Sequence, residues 1–395
     1  MTNFIPFNQI DINYLTNNLN QQLSATQTLI PQLEQQQNSS WQQIIAPLQA
    51  QLYTLNQAWG LVGHLQSVKD SPELRTLHEE FLPKLTELYV NLGQNQALYN
   101  HVQTIKNSEY SRLTIEQKKV IDNELRDFKL SGITLPPEQQ QQFKTIQNQL
   151  SELATQFEHN VLDATDSYSR SATIEELAGV PEDSLALYKA IAEQDQLEGY
   201  KITLHMPSYL PIMQYCSNRQ LREEVYKAYV TRASELSNDA KFDNGGLIGK
   251  ILALRLEKAQ LLGFNNYAEL SLFNKMADTP AQVLDFLHQL ANKSRSYAEQ
   301  DLAELKAYAL TTDGITELSA WDIPYYSEKL QQHKYSYSSN ELKQYFPLPK
   351  VFSGLFNLIG QHAELAIIYQ TVSEWLEARI PDSIVSIMSY SETEQ

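Results

Sequence analysis

Eight histidines invite the first question, because imidazole is the commonest ligand for a protein-bound metal and a frequent general base. They stand at His64, His78, His101, His159, His205, His288, His333 and His362. Zinc hydrolysis through an H-E-x-x-H motif needs two histidines four residues apart on one helix turn, with a glutamate between them as general base. No two of the eight have that spacing. His78-Glu79-Glu80-Phe81-Leu82 begins like the motif, but Leu82 stands at the second ligand position and has no lone pair to give. His362-Ala363-Glu364-Leu365-Ala366 fails twice, with Glu364 misplaced and Ala366 in place of histidine. The residues therefore name no metal ligand and no catalytic group. A dispersed set of three histidines is the alternative that spacing leaves open.

Other chemistries leave fewer traces. No G-x-S-x-G elbow and no G-x-x-x-x-G-K-[ST] loop occurs, so neither a hydrolase serine nor a nucleotide loop of those kinds is supported. Gly245-Gly246-Leu247-Ile248-Gly249-Lys250 is glycine-rich with the wrong spacing, and reads as a turn leading into a helix. Cys216 is the single cysteine, which excludes an internal disulfide and a cysteine zinc site. Its expected place is the core, as a small apolar side chain. Carboxylates are too common to single out a pair. Trp321-Asp322-Ile323-Pro324-Tyr325-Tyr326 clusters aromatics with polar tips, which can line a peptide groove or pack between helices.

The elements that would position these groups are helices. In 395 residues, 47 acidic side chains oppose 30 basic ones, a formal charge of -17. So acidic a surface repels phosphate backbones and argues against a nucleic-acid partner. The N-terminus, MTNFIPFNQIDINYL, lacks the basic and apolar regions of a secretory signal. No stretch approaches the roughly 18 apolar residues that cross a bilayer. The expectation is a cytoplasmic protein with no membrane partner.

Glycine is scarce, at 13, while Leu, Gln, Glu and Ala abound, which favours a mainly α fold. Leu23, Ile30 and Leu33 recur at helical spacing, with Pro31 expected to kink or divide that helix. The polar run from Gln35 to Ser40 separates it from a second helix. Ser71-Pro72-Glu73 starts a helix over 71–103. Thr114 to Ser131-Gly132 frames the next, and Pro136-Pro137-Glu138 opens a long one carrying Phe143, Ile146, Leu150, Leu153 and Phe157. Alternation over Tyr200 to Met206 predicts a short strand, the only β element expected. Helices resume over 207–231, 247–262, 266–276 and 280–308, with Gly263 as a C-cap and Asn265 or Asn266 capping the helix after it. A last helix follows Pro347-Leu348-Pro349.

Several segments, taken in order, resemble the thimet-oligopeptidase family of zinc metallopeptidases. They include Ala58-Trp59-Gly60, Ser71-Pro72-Glu73-Leu74-Arg75, Leu92-Gly93-Gln94-Asn95-Gln96-Ala97-Leu98-Tyr99 and Asn160-Val161-Leu162-Asp163-Ala164-Thr165. Pro207-Ser208-Tyr209-Leu210-Pro211, Asn218-Arg219, Leu221-Arg222-Glu223-Glu224, Trp321-Asp322 and Tyr325-Tyr326-Ser327-Glu328-Lys329-Leu330 continue the series. The resemblance runs from about Phe7 to about Leu358.

It implies two helical lobes enclosing a channel, and a zinc endopeptidase acting on short unstructured peptides. It divides the chain into an N-terminal helical region at 1–170, a second helical region with a small β element at 171–359, and a tail at 360–395. From Gly360 the tail, QHAELAIIYQTVSEWLEARIPDSIVSIMSYSETEQ, no longer reads as the family does, and the family's zinc-binding half is not matched. Zinc is thus the family's cofactor, yet none is expected on this chain, which is expected to be inactive alone. Tyr325 and Tyr326 are the residues expected along a substrate channel. The alternative function is a non-catalytic helical module for binding peptides or another chain over its exposed inner face.

Overall fold

The computed structural model describes residues 10–237, 240–336 and 339–360. They divide into two compact units: one takes 10–164 and 231–293, the other 165–230 and 294–360. Helices dominate both, as a glycine-poor sequence with helical apolar spacing requires.

The first unit opens with α1 (Ile12–Glu34), whose Asp11 side chain accepts the backbone N–H of Tyr14. Pro31 neither divides nor ends this helix, contrary to the sequence expectation, and the helical turn runs on to Glu34. So close to the C-terminus, a proline removes a single intrahelical donor, and the buried Leu33 still reaches the core. Ser40 caps a π-helical turn (Trp41–Ile45) that leads straight into α2 (Ala46–Val68), which packs along α1. Ser71 caps α3 (Pro72–Gly93). The segment expected as one helix over 71–103 breaks there, and α4 (Gln96–Ser108) starts anew under the Asn95 cap. Gly93 explains the break, because a Cβ there would lie 2.5 Å from the Ser131 Cβ. Only glycine lets the end of α3 approach the end of α5 (Ile115–Leu130) so closely. Thr114 and Gln117 form a reciprocal capping box on α5. The long helix α6 (Pro137–Asp166) buries Phe143 and Ile146, while Leu150, Leu153 and Phe157 are half-buried.

In the second unit the expected strand is real but short. β1 (Arg170–Ala172) pairs antiparallel with β2 (Tyr200–Ile202), Arg170 opposite Ile202. Between them lies α7 (Glu182–Gln194), which packs on β2. Then come α8 (Met206–Tyr215) and α9 (Arg219–Thr231). Their core gathers Leu177, Tyr188, Ile202, Ile212, Met213, Cys216, Leu221 and Val225. Cys216 is fully buried and donates its Sγ hydrogen to the Glu176 carbonyl; burial pushes the thiol up from its ordinary value. Gly179 has φ +90°, and a Cβ there would lie 2.4 Å from the Tyr215 carbonyl oxygen, so this turn admits no side chain.

The chain returns to the first unit with α10 (Gly245–Leu261), capped by Gly263 at φ +86°, and α11 (Tyr267–Leu272), capped by Asn266. The 34-residue α12 (Pro280–Asp313) contributes residues to both units. In the second unit follow α13 (Ile323–Tyr335), the single turn α14 (Ser339–Leu342) and α15 (Leu348–Gly360).

The polar centre of the second unit is Asp322, whose side chain is fully buried. Arg222, 1% exposed, donates to its Oδ1 at 2.8 Å, and Arg219 donates to its Oδ2 at 2.7 Å. The rest of the Arg222 fork reaches the carbonyls of Cys216 and Trp321. Its guanidinium lies 4.0 Å from the Tyr325 ring centroid. The Ser319 backbone N–H donates to Asp322 as well, at 3.0 Å. Burial alone would raise the Asp322 pKa. The hydrogen bonds from Arg219, Ser319 and Arg222 outweigh it and hold the carboxyl below its usual range.

Two stability outcomes follow. Asp322→Asn leaves a buried guanidinium without its counter-charge and should lower the unfolding free energy by about 3–5 kcal/mol in urea titration. The native carboxyl titrates below its unfolded value of about 3.9, so its contribution is complete above that pH and is lost as pH falls through the native value. The acid limb of the stability curve should accordingly be shallower in the variant. Phe81→Ala empties a fully buried position on α3 and should cost about 3–5 kcal/mol by the same measurement.

Candidate functional site

The near-motif His78-Glu79-Glu80-Phe81-Leu82 lies on α3, where one helix turn sends its members to different surroundings. His78 stacks on Trp59, ring centroids 4.7 Å apart, and its Nδ1 is buried with no hydrogen-bond partner. Phe81 enters the core, and Leu82 lines a cavity beside α6. The ring of His159, on α6, is centred 6.4 Å from that of His78, and its Nε2 is 2.7 Å from Gln66 Nε2. Burial first, then the neighbouring His159, push His78 below the ordinary imidazole value. The two rings are engaged with aromatic and amide groups.

The remaining histidines are dispersed. His101 bridges Ser39 Oγ at 2.8 Å and the Glu34 carbonyl, tying the α1–α2 connection to α4. His205 lies 3.0 Å from Asp166 at the surface. His333 is tilted against Tyr308, and His288 is exposed on α12. His362 lies outside the described residues. Among the described residues no three of His, Cys, Asp and Glu come together to hold a metal ion. Nor do these residues fit a zinc centre of the H-E-x-x-H kind, since no second imidazole lies one turn from His78.

Tyr325 and Tyr326, the residues expected along a channel, lie at the start of α13. They are 5% and 2% exposed and share a core with Leu305 and Ala309 of α12. The Tyr326 hydroxyl donates to Asp313 at 3.0 Å, and burial pushes its pKa up. Two cations lie against the Tyr325 ring, Arg222 at 4.0 Å and Lys329 at 4.9 Å from its centroid.

Sequence reasoning did not anticipate a second polar cluster, in the first unit. Arg75 on α3 donates twice to Asp163 on α6, at 3.1 and 2.5 Å, and once to Asp70 at 2.8 Å. Asp163 and Asp70 hold its guanidinium well above even its usual high pKa. Asn160, three residues before Asp163, donates to Asn244, which in turn donates to the Phe157 carbonyl. Beside this cluster α3 and α6 line a solvent-open cleft of about 450 Å³. For the cluster in the second unit a signal was available: Arg222 stands between Leu221 and Val225 on the apolar face of its helix. A charge on an apolar face must find a buried partner.

These two clusters join segments that lie far apart in the chain, Arg75 with Asp163 and Arg222 with Asp322. The Neurolysin/Thimet oligopeptidase N-terminal domain matches residues 16–140, and Peptidase family M3 matches residues 212–384. The second match continues beyond Gly360. Oligopeptidase A of Haemophilus influenzae is 48% identical over 357 residues, 90% of this chain and 52% of the relative. The oligopeptidase A proteins of Salmonella typhimurium and Escherichia coli are each 50% identical over 323 residues, 81% of this chain and 48% of the relative. The chain spans about half the length of the curated relatives it matches. With the N-terminal and peptidase matches in order along one polypeptide, and 48–50% identity to oligopeptidase A proteins over the aligned 323–357 residues, the chain belongs to peptidase family M3.

Proposed function

We propose that this chain is the helical framework of an oligopeptidase A-type zinc metallopeptidase for short unstructured peptides, and that alone it does not hydrolyse them. One observation carries the second half of this reading. In all 395 residues no two histidines are four apart, so no helix turn can present the two imidazoles and the glutamate of an H-E-x-x-H centre. Zinc would supply an activated water and a polarised carbonyl. Among the described residues no group of donors assembles to bind it, and no step of hydrolysis is assigned to them.

Tyr325 and Tyr326 then act on the peptide path by position. Held from behind by Arg222 and Asp313, they fix the first turn of α13 as a stiff wall element. A cytoplasmic location is part of this proposal, and no helix among the described residues is long and apolar enough to cross a membrane.

A second reading, a helical module that docks another chain, has its own observation. On α15 the side chains of Leu348, Val351, Leu355 and Leu358 recur at helical spacing and are 42–63% exposed. On α10 Ile248, Leu252 and Leu256 do the same at 43–58%. Apolar stripes of this kind are interaction surfaces when uncovered. A polypeptide carrying the H-E-x-x-H half is the partner that would reconcile the two readings.

Metal analysis and turnover test the proposal together. After gel filtration in zinc-containing buffer the isolated chain should hold well under one equivalent of zinc, and a quenched flexible nonapeptide should show no chelator-sensitive cleavage. One tightly held equivalent with chelator-sensitive cleavage would refute inactivity. A clean monomer by light scattering, with no binding of a hydrophobic dye, would count against the docking module.

A further inference from the structure

The glycine run that opens α10 is preceded by Asn244, and the Asn244-Gly245 dipeptide has a chemistry of its own. Asparagine followed by glycine is the pairing most prone to lose its side-chain amide, because glycine has no Cβ to keep its backbone nitrogen away from the neighbouring carboxamide. The peptidase reading gives this pair no role.

The folded chain restrains each group that the reaction needs. Asn244 is 2% exposed. Its Oδ1 accepts from Asn160 Nδ2 on α6 at 2.8 Å, and its Nδ2 donates to the Phe157 carbonyl at 3.1 Å. Its backbone N–H donates to the Ala233 carbonyl at 3.0 Å, and its own carbonyl accepts from Ile248 at 3.0 Å. The nucleophile is held as well, since the Gly245 N–H donates to Asp243 Oδ1 at 2.8 Å. The carboxamide is thus fixed by α6 and the Gly245 nitrogen by Asp243, so neither turns toward the other while these bonds stand. Asn160 and Phe157 lie about one turn apart on α6, and a local separation of α6 from the start of α10 releases both contacts together.

We propose that Asn244 is a deamidation site kept closed by its contacts with α6, and that conversion there makes an opening of the α6–α10 junction permanent. On opening, the Gly245 backbone nitrogen attacks Asn244 Cγ. The Cγ–Nδ2 bond breaks, and the amide departs as ammonia with the proton from the Gly245 nitrogen. Water then adds across either carbonyl–nitrogen bond of the succinimide, giving aspartate or isoaspartate. One water enters and one ammonia leaves, with no change of oxidation state. Neither product refits the site. Aspartate sets an oxygen where Nδ2 met the Phe157 carbonyl, so two acceptors face each other beside a buried charge. Isoaspartate lengthens the backbone by one methylene and carries the Ile248 bond out of register. All of these groups belong to the first unit, so the inference is independent of zinc and of peptide cleavage.

Peptide mapping by mass spectrometry tests it, on the full chain incubated at neutral pH with and without unfolding urea. Asn244 should convert readily in urea and at least about ten-fold more slowly in the folded chain, where the rate follows the open population. Sucrose, which disfavours opening, should slow the folded chain further. Asn160→Ala removes one hydrogen bond and should raise the folded rate about five-fold while leaving the rate in urea unchanged. Gly245→Ala restores a Cβ at a position without left-handed backbone and should slow conversion in both conditions. Asn244→Asp, the direct product, should melt below the parent by circular dichroism. Equal rates in folded and unfolded parent, no effect of sucrose, an Asn160→Ala chain that converts no faster, a Gly245→Ala chain that converts no more slowly, or an Asn244→Asp chain that melts like the parent would each overturn the proposal.

Discussion

A carboxylate with no exposed surface has to be matched by charge from within the fold, and Asp322 meets that demand with two arginines from a helix about 100 residues earlier. The interaction constrains more than its own neighbourhood. Arg222 can reach Asp322 only if α9 presents it inward between Leu221 and Val225, and the remainder of its fork then holds the carbonyls at the end of α8 and before α13. The aromatic face of Tyr325 is fixed by the same guanidinium. Helix direction, loop position and ring orientation in the second unit are consequences of one desolvated ion cluster. Such clusters are weak sources of net stability, but once formed they are strict about geometry, because any alternative packing strands a buried charge.

The first unit solves the same problem with a looser device. Arg75, Asp163 and Asp70 are each partly exposed, so screening reduces what their contacts contribute to stability. Their effect lies in register: the bidentate pair sets how far α6 slides along α3, which in turn decides where His159 meets His78 and where the cavity opens. In one unit the ion cluster lies in the core, and in the other it borders a space.

Most of the helices were legible from the sequence because their boundaries are local chemistry. Ser71, Thr114 and Asn266 cap through their own side chains, and Gly263 ends a helix through its left-handed backbone. The failures were tertiary. The division at Gly93 depends on Ser131 of another helix, which no local pattern reveals, and the continuation of α1 past Pro31 depends on the core around Leu33. The partner of Tyr326 is tertiary in the same way: its hydroxyl meets Asp313 at the end of the preceding helix, and only the packing of α12 on α13 brings the two together.

The imitation of a metal motif on α3 shows why spacing and type must be weighed together. His78, Glu79 and Leu82 occupy the three positions of an H-E-x-x-H turn, yet Leu82 is a cavity wall and the His78 ring is committed to Trp59. A second imidazole at 82 would still face a ring whose Nδ1 is buried and whose pKa is pushed down by burial. The stacking on Trp59 fixes the ring plane before any metal arrives. The same helix turn therefore lacks a metal ligand for one reason and an orientable one for another.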